Sequence, residues 1–323
     1  MPSSKISEGE FVELWNKHKS AAKLSKITGL AVREINSRRR RLEKANQISL
    51  VAINPKVAAQ SLNADKPQRK DLGIENGVVI VFSDAHFWPG IRTTALKGLL
   101  WAIKEFAPKA VICNGDAFDG ASISRHPRIG WDTTPSVIQE LKACQACLGE
   151  ISDSAKKARH NVKLVWPLGN HDARFETRLA NTAPEFANVS GFTLKDHFPE
   201  WEPCWSVWAT NDVVIKHRYK NGVHAAHNNA VNAGKTIVTG HLHSLKVTPF
   251  ADYGGNRFGV DTGTLADAYG PQFAYAEENP QNHRSGFAML TFIDGQLLWP
   301  ELVHRWADNW IEFRGQLHNV GEL

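Results

Sequence analysis

Five short stretches of this chain carry side chains that bind hard or borderline cations. They are Asp84-Ala85-His86, Gly115-Asp116-Ala117-Phe118-Asp119, Gly169-Asn170-His171-Asp172, His217, and Gly240-His241-Leu242-His243. Each offers carboxylate, amide or imidazole donors. Four follow a run of strand-like, mostly apolar residues directly, and the third follows one after a Pro-Leu step. A sheet whose strand ends all carry such donors gathers them at one edge, where they can hold a metal pair for hydrolysis. Taken singly the signals are weak. D-x-H recurs by chance in loops, although its alternate residues can face one way from an extended turn. Asp116 is more telling, because a charged carboxylate just past the buried run Ala110–Cys113 must be paired, hydrogen-bonded or metal-bound. It is the ordered set that argues against accident.

The elements that must position these residues are legible from periodicity. From Val78 onward the chain reads as strand–loop–helix units, the pattern of a layered α/β domain. Strands are expected at 78–83, 110–114, 162–166, 213–216 and 236–239. Later strands near 257–262, 286–293 and 296–299 have no long helices between them, which predicts an antiparallel part of a second sheet. Residues 46–76 contain Asn54-Pro55, Asp65-Lys66-Pro67 and Glu75-Asn76-Gly77 and read as a linker, with one short helix near Val57 to Leu62.

Ahead of that linker, Ser7-Glu8-Gly9-Glu10 is a capping box for a helix with Phe11, Leu14 and Trp15 on one side. A second helix runs from about Ser20 to Thr28 and breaks at Gly29. A third spans about Val32 to Lys44 with Ile35 and Leu42 inward. This spacing fits a helix-turn-helix-like module over residues 1–45. Its third helix is expected to present Arg33, Asn36, Arg38, Arg39, Arg40 and Arg41 outward, to DNA, mostly to phosphates. The charge distribution agrees. Residues 1–70 hold 15 Lys and Arg against 6 Asp and Glu, whereas residues 71–323 hold 23 against 27. A basic head on a mildly acidic body points to a polyanionic partner.

The ordered motifs resemble the calcineurin-like metallophosphoesterases over roughly residues 77–300. The resemblance implies a four-layer α/β/β/α sandwich with two mixed sheets, here assigned to 77–323, beside the small all-α N-terminal module. It implies a first metal held by Asp84, His86, Asp116 and His243, and a second held by Asp116, Asn170, His217 and His241. Mixed Asp, His and Asn ligation suits two divalent transition metal ions, Mn²⁺ first, with Fe or Zn²⁺ as alternatives. A metal-bridging hydroxide would be the nucleophile, His171 the general acid, and Asp172 the group that orients it. For the fourth motif His224 and His227 lie close by as alternatives, with His217 preferred at its strand end.

Gly120 and Asp172 stand where the protein Ser/Thr phosphatases carry Arg and Glu, which counts against that branch. The motifs G-D-x-F-D and G-N-H-D are similar to those of the SbcD-type nucleases that process DNA ends. Ser124-Arg125-His126 after the second motif, with Arg174 and Arg178 after the third, resembles the calcineurin-like phosphoesterases of bacteriophage genomes. On that likeness Arg125, His126, Arg174 and Arg178 are candidate phosphate contacts. The expected activity is therefore a DNA phosphodiesterase, a nuclease in effect. The alternatives are a phosphomonoesterase or a cyclic-nucleotide or other small-molecule phosphodiesterase with a regulatory module.

The first residues carry no apolar stretch of a secretory signal, and the longest apolar run, Val78 to Phe82, is too short to span a bilayer. A cytoplasmic protein is expected, in the bacterial host if phage-encoded, with no membrane partner. Cys144 and Cys147 form a lone C-x-x-C, but Val137, Leu141, Cys144, Leu148 and Ile151 recur at helical spacing, so these thiols read as core residues rather than zinc ligands. Trp201, Trp205 and Trp208 are expected to line a core with Trp306 and Trp310.

Overall fold

The computed structural model describes residues 6–46, 48, 50, 69–125 and 134–322. The short helix expected near Val57 to Leu62 and the candidate phosphate contact His126 lie outside the described residues. The chain divides into two units, Met1–Pro67 and Gln68–Leu323.

In the first unit, α1 (Glu8–His18) starts where the capping box places it. Glu10 N–H donates to Ser7 Oγ at 3.2 Å, and Ser7 N–H donates to the Glu10 carboxylate at 2.8 Å. Ser20 caps α2 (Ala21–Thr28), Gly29 closes it at φ 72°, and α3 (Val32–Asn46) follows. Phe11, Trp15, Leu24, Ile35 and Leu42 are buried together. Arg33, Arg40 and Arg41 are exposed on α3 and Asn36 is half-buried. Arg38 and Arg39 do not point outward as expected. Their guanidinium groups lie 5.1 Å from the ring centres of Phe11 and Trp15 respectively, and Arg38 also donates to the Ile6 carbonyl. The small core leaves these ring faces partly open, and long cationic stems cover apolar surface while the planar heads meet the π faces.

The second unit opens with β1 (Arg69–Asp71) and β2 (Gly77–Phe82), then α4 (Thr94–Phe106), β3 (Ala110–Cys113), α5 (Val137–Ala158) and β4 (Lys163–Pro167). Next come α6 (Asp172–Thr182), α7 (Leu194–His197), β5 (Glu202–Cys204), β6 (Ser206–Thr210), β7 (Val213–Ile215), α8 (Ala225–Ala233) and β8 (Thr236–Thr239). The chain ends in β9 (Lys246–Asp252), β10 (Gly255–Asp261), β11 (Gly286–Ile293), β12 (Gln296–Leu297), β13 (Glu301–Ala307), β14 (Trp310–Phe313) and β15 (Gln316–Asn319). One sheet has the order β15-β14-β13-β11-β2-β3-β4-β5 with β12 on β11, and the other β1-β6-β7-β8-β10-β9. Strands β2 to β5 run parallel, and so do β7, β8 and β10.

Alternation along the central strands decides the layering. Ile80, Phe82, Val111, Cys113, Leu164 and Trp166 pack with Leu96, Leu99, Leu141, Cys144 and Ile151 of the helices α4 and α5. Val79, Val81, Ala110, Ile112 and Val165 pack instead against Val207, Ile215, Val238 and Val260 of the facing sheet. Helix α8 covers the far side of that sheet, so close that a Cβ on Gly259 of β10 would strike the Ala226 carbonyl. Helices, sheet, sheet and helix make the four layers.

Three expectations change. Residues 69–76, read as the end of a linker, instead form β1 on β6 and place Leu72 and Ile74 in the core between the sheets. Strand β11 joins the first sheet, antiparallel beside β2, rather than the second. Strand β10 does lie in the second sheet but runs parallel to β8, and only its pairing with β9 is antiparallel. The tryptophans also separate: Trp201 is buried edge-on to Phe82, Trp208 lies under the Arg69 guanidinium, and Trp205, Trp306 and Trp310 are exposed. Among the described residues no helix is long and apolar enough to cross a membrane.

Candidate metal centre

The ends of β2, β3, β4, β7 and β8 each turn sharply into a donor-bearing loop, and the loops lock to one another through their backbones. Asp84 N–H donates to Gly115 O, His86 N–H to Asp116 O, and Gly240 N–H to His217 O, each at 2.9 Å. The turning is severe. Asp84, His86, Asp116, His241 and His243 have φ of 51°, 40°, 54°, 73° and 56°. Left-handed backbone at a residue bearing a Cβ costs about 1–3 kcal/mol and persists only where surrounding structure enforces it. Five strained residues in one cluster, all of them donors, mark a place where fold stability is exchanged for geometry. Gly169 is confined for a different reason: a Cβ there would overlap Asp116 Oδ1.

Among the described residues the donors fall into three groups, one of them His86, Asp119 and His171. Asp84, His86 and His243 place ligand atoms within 4.8 Å of one another, and so do Asp116, His217 and His241. Asp84 Oδ1 lies 3.0 Å from His243 Nε2 and 4.0 Å from His217 Nε2, while Asp116 Oδ2 lies 3.0 Å from His217 Nε2. His86 Nε2, His243 Nδ1 and Asn170 Oδ1 are buried without a hydrogen-bond partner among the described residues. An unpaired buried polar atom costs about 1–3 kcal/mol. Three such atoms beside two carboxylates fit divalent cations with mixed oxygen and imidazole ligation.

Electrostatics follows the same geometry. Burial alone would raise Asp84 and Asp116, but His243 and His217 hold Asp84 at about 2, and His217 and His171 hold Asp116 well below the usual carboxylate range. Burial pushes His217 down, yet Asp116 and Asp84 outweigh it and raise the imidazole to about 10. Burial lowers His86 and His241. The carboxylates thus draw positive charge into the pocket, and a bound cation would take the place of that proton charge.

His171 sits at the edge of these groups, its ring 4.7 Å from that of His86. Its Nδ1 faces Asp119 Oδ1 at 2.9 Å and Asp119 O at 3.0 Å; both are acceptors, so Nδ1 carries a proton. Burial opposes charge on His171, but Asp116 and Asp119 overcome it and raise its pKa. Nε2 lies 4.0 Å from Asp116 Oδ2 and 3.1 Å from Arg174 Nη2, whose Nη1 donates to Asp119 O at 2.9 Å. The same Asp119 side-chain oxygen receives His86 Nδ1 at 2.8 Å.

Asp119 therefore has the role that sequence reasoning gave to Asp172. The Asp172 carboxylate is instead sunk beneath the loops, accepting the backbone N–H groups of Asp116, Ala117, Phe118 and Gly169 and the Trp166 indole at 2.8–3.0 Å. It has no lone pair facing the imidazole because it is clamping the turns that carry Asp116 and Asn170. Glu140 was not singled out either. Fully buried on α5, it accepts Gly120 N–H and Ala121 N–H at 3.0 Å each, anchoring the loop just past Asp119. Its only sequence signal is a charged residue beside Leu141 on the apolar face of a helix.

The remaining candidates are dispersed. His224 is exposed at the start of α8, and His227 packs its ring 5.5 Å from that of Phe250, so neither joins the cluster. Arg178 and Arg125 are exposed, and of the candidate arginines Arg174 is the one that touches His171. Sequence reasoning also missed Phe273 and His283. The Phe273 ring lies 5.5 Å from His86, 5.1 Å from His243 and 5.0 Å from His283.

Residues 77–262, which contain all five donor-bearing loops, match the calcineurin-like phosphoesterase family. No curated protein matches the chain. Several solved structures are similar to it, among them the following three. One is Vps29 of Entamoeba histolytica complexed with Zn²⁺, at 13% identity and TM-score 0.36, covering 75% of this chain and 96% of that one. Another is an archaeal phosphodiesterase, at 12% identity and TM-score 0.35, covering 70% and 99%. The third is a protein serine/threonine phosphatase from Saccharomyces cerevisiae with similarity to human PP5, at 13% identity and TM-score 0.36, covering 82% and 95%.

Proposed function

We propose, from the premise that the chain belongs to the calcineurin-like phosphoesterase family, that it cleaves phosphodiester bonds in DNA. The family makes it a metal-dependent phosphoesterase; the diester substrate and DNA are the reading advanced here. Asp84, His86, Asp116 and His243 would hold one divalent cation, and Asp116, Asn170, His217 and His241 a second. Mn²⁺ is the first choice for this donor set, then Fe or Zn²⁺. When bound, such a pair lowers the pKa of water and offsets charge on the phosphate oxygens.

The chain's own residues do the rest. As water gives up a proton to solvent and attacks phosphorus, the ester P–O bond breaks, its electron pair passes to the departing oxygen, and His171 Nε2 gives that oxygen a proton. Asp119 keeps the opposite nitrogen protonated and the ring aimed. With Nε2 protonated, Arg174 Nη2 loses its acceptor and turns to a phosphate oxygen while Nη1 stays on Asp119 O.

The observation that carries the DNA reading is the exposed Arg33, Arg40 and Arg41 face of α3, in a head whose 15 basic against 6 acidic residues stand on a body with an acidic excess. The four free cysteines fit a reducing compartment such as the cytoplasm. The test supplies Mn²⁺ and compares labelled duplex and single-stranded DNA with bis(p-nitrophenyl) phosphate and p-nitrophenyl phosphate. Cleavage of DNA and of the diester, both abolished by Asp116→Asn, is expected. Hydrolysis of the monoester alone would overturn the diester reading.

A further inference from the structure

We propose that Tyr275 is a stacking platform for the nucleobase on the departing side of the scissile phosphate. The inference rests on the phosphodiesterase reading and deepens it. Its starting point is the segment between β10 and β11, which is tied at both legs to the donor-bearing loops. Thr264 Oγ1 donates to Asp84 O at 2.6 Å and Leu265 N–H to Ser83 O at 3.0 Å. At the other leg Arg284 N–H donates to His243 O at 2.7 Å, and Ser285 Oγ closes the base by donating to Ala266 O at 2.7 Å. The segment is therefore a fixed wall of the site.

Phe273, 5% exposed, fills the wall between His86, His243 and His283. Tyr275 stands next to it, with ring centres 6.3 Å apart at 86°, and is 59% exposed. Burial of the rest of the side chain, then Asp119 and Asp84, raises its phenol against the pull of Arg174. His86 joins the two sides, its ring contacting His171 at 4.7 Å and Phe273 at 5.5 Å. His171 and the Phe273–Tyr275 pair thus stand beside the same His86-bearing group of donors, and the oxygen that takes the proton from His171 Nε2 departs on that side of the site. A large aromatic face left open there, backed by a buried phenylalanine, suits a planar and uncharged leaving group. A nucleoside, with its base as the planar part, has that chemistry, and every base offers a π face.

The experiment uses the full chain with Mn²⁺ and three dinucleotides: thymidylyl-thymidine and the two analogues in which one base is replaced by an abasic tetrahydrofuran. Product analysis shows which nucleoside departs without phosphate. Removing the base from that side is expected to lower kcat/KM about tenfold in the wild-type protein, whereas removing the other is not. Tyr275→Ala should bring that ratio to about one, and Tyr275→Phe should retain it. Equal losses on all three substrates in Tyr275→Ala, or no loss on any, would overturn the subsite. If no dinucleotide is cleaved, the diester reading itself fails. The subsite is then decided by the same ratio on thymidine 5′-phosphate against deoxyribose 5-phosphate, and silence on both pairs rejects both ideas.

Discussion

Asp119 sets one carboxylate oxygen between two imidazoles, that of a candidate metal ligand and that of the candidate acid. Asp119→Asn keeps the shape and an oxygen that can accept from both rings, but removes the carboxylate charge that favours protonated His171. Its kcat should fall by about 10²–10⁴-fold, the usual worth of a positioned acid. Metal affinity should fall about 10–100-fold through His86, as when the partner of a ligating histidine is removed. Steady-state kinetics and metal titration check the two effects separately. Asp172→Ala should fail differently. It strands five N–H donors in the interior, each costing about 1–3 kcal/mol, so the melting temperature should drop sharply, and unchanged thermal stability would contradict the clamp. Both aspartates were visible in the sequence, but spacing alone could not tell which one the imidazole meets. That choice is made by how the third loop passes under the second, a contact between residues more than fifty positions apart.

At the scale of elements, strands were legible where burial was two-sided. Val78 to Phe82, Ala110 to Cys113 and Thr236 to Thr239 are uniformly apolar or β-branched because both faces are covered. The edge strands β5 and β15, and β13 and β14 beside β15, mix exposed and buried positions and gave no clear period. One hairpin could have been found: Asp294-Gly295, with φ of 50° and 75°, joins β11 to β12 and is a strong two-residue turn sequence. Helix α3 was placed correctly, yet its arginines divide in a way a charge run cannot reveal. Arg38→Ala and Arg39→Ala should lower the thermal stability of the N-terminal module, because they uncover Phe11 and Trp15. Replacing Arg33, Arg40 and Arg41 by Ala should weaken DNA binding and reduce the slope of log K against log salt by about 0.9 for each phosphate left unneutralised. A filter-binding salt series separates the two groups, and an unaltered slope in the triple variant would reject α3 as the DNA-binding face.

The whole molecule pairs a basic three-helix unit with a four-layer catalytic unit; the change of charge near residue 70 marked the join, whereas the strand period was recognised only from Val78, past β1 and the Pro67–Gln68 boundary. Less legible was the wall after β10, since nothing in residues 265–285 signals that Phe273 and His283 return to the strand ends. Deleting residues 1–45 should leave turnover of bis(p-nitrophenyl) phosphate intact while DNA affinity falls, as measured by equal-enzyme kinetics and titration of labelled DNA; loss of both would deny a division of labour. The enzyme reading stands on the seven donors acting as one site. It is tested most directly by anomalous diffraction from crystals of the protein loaded with Mn²⁺. The expected result is two Mn²⁺ ions about 3.5–4 Å apart, bridged by Asp116 and flanked by Asp84, His86 and His243 on one side and Asn170, His217 and His241 on the other. A single ion, or anomalous peaks away from those side chains, would contradict it.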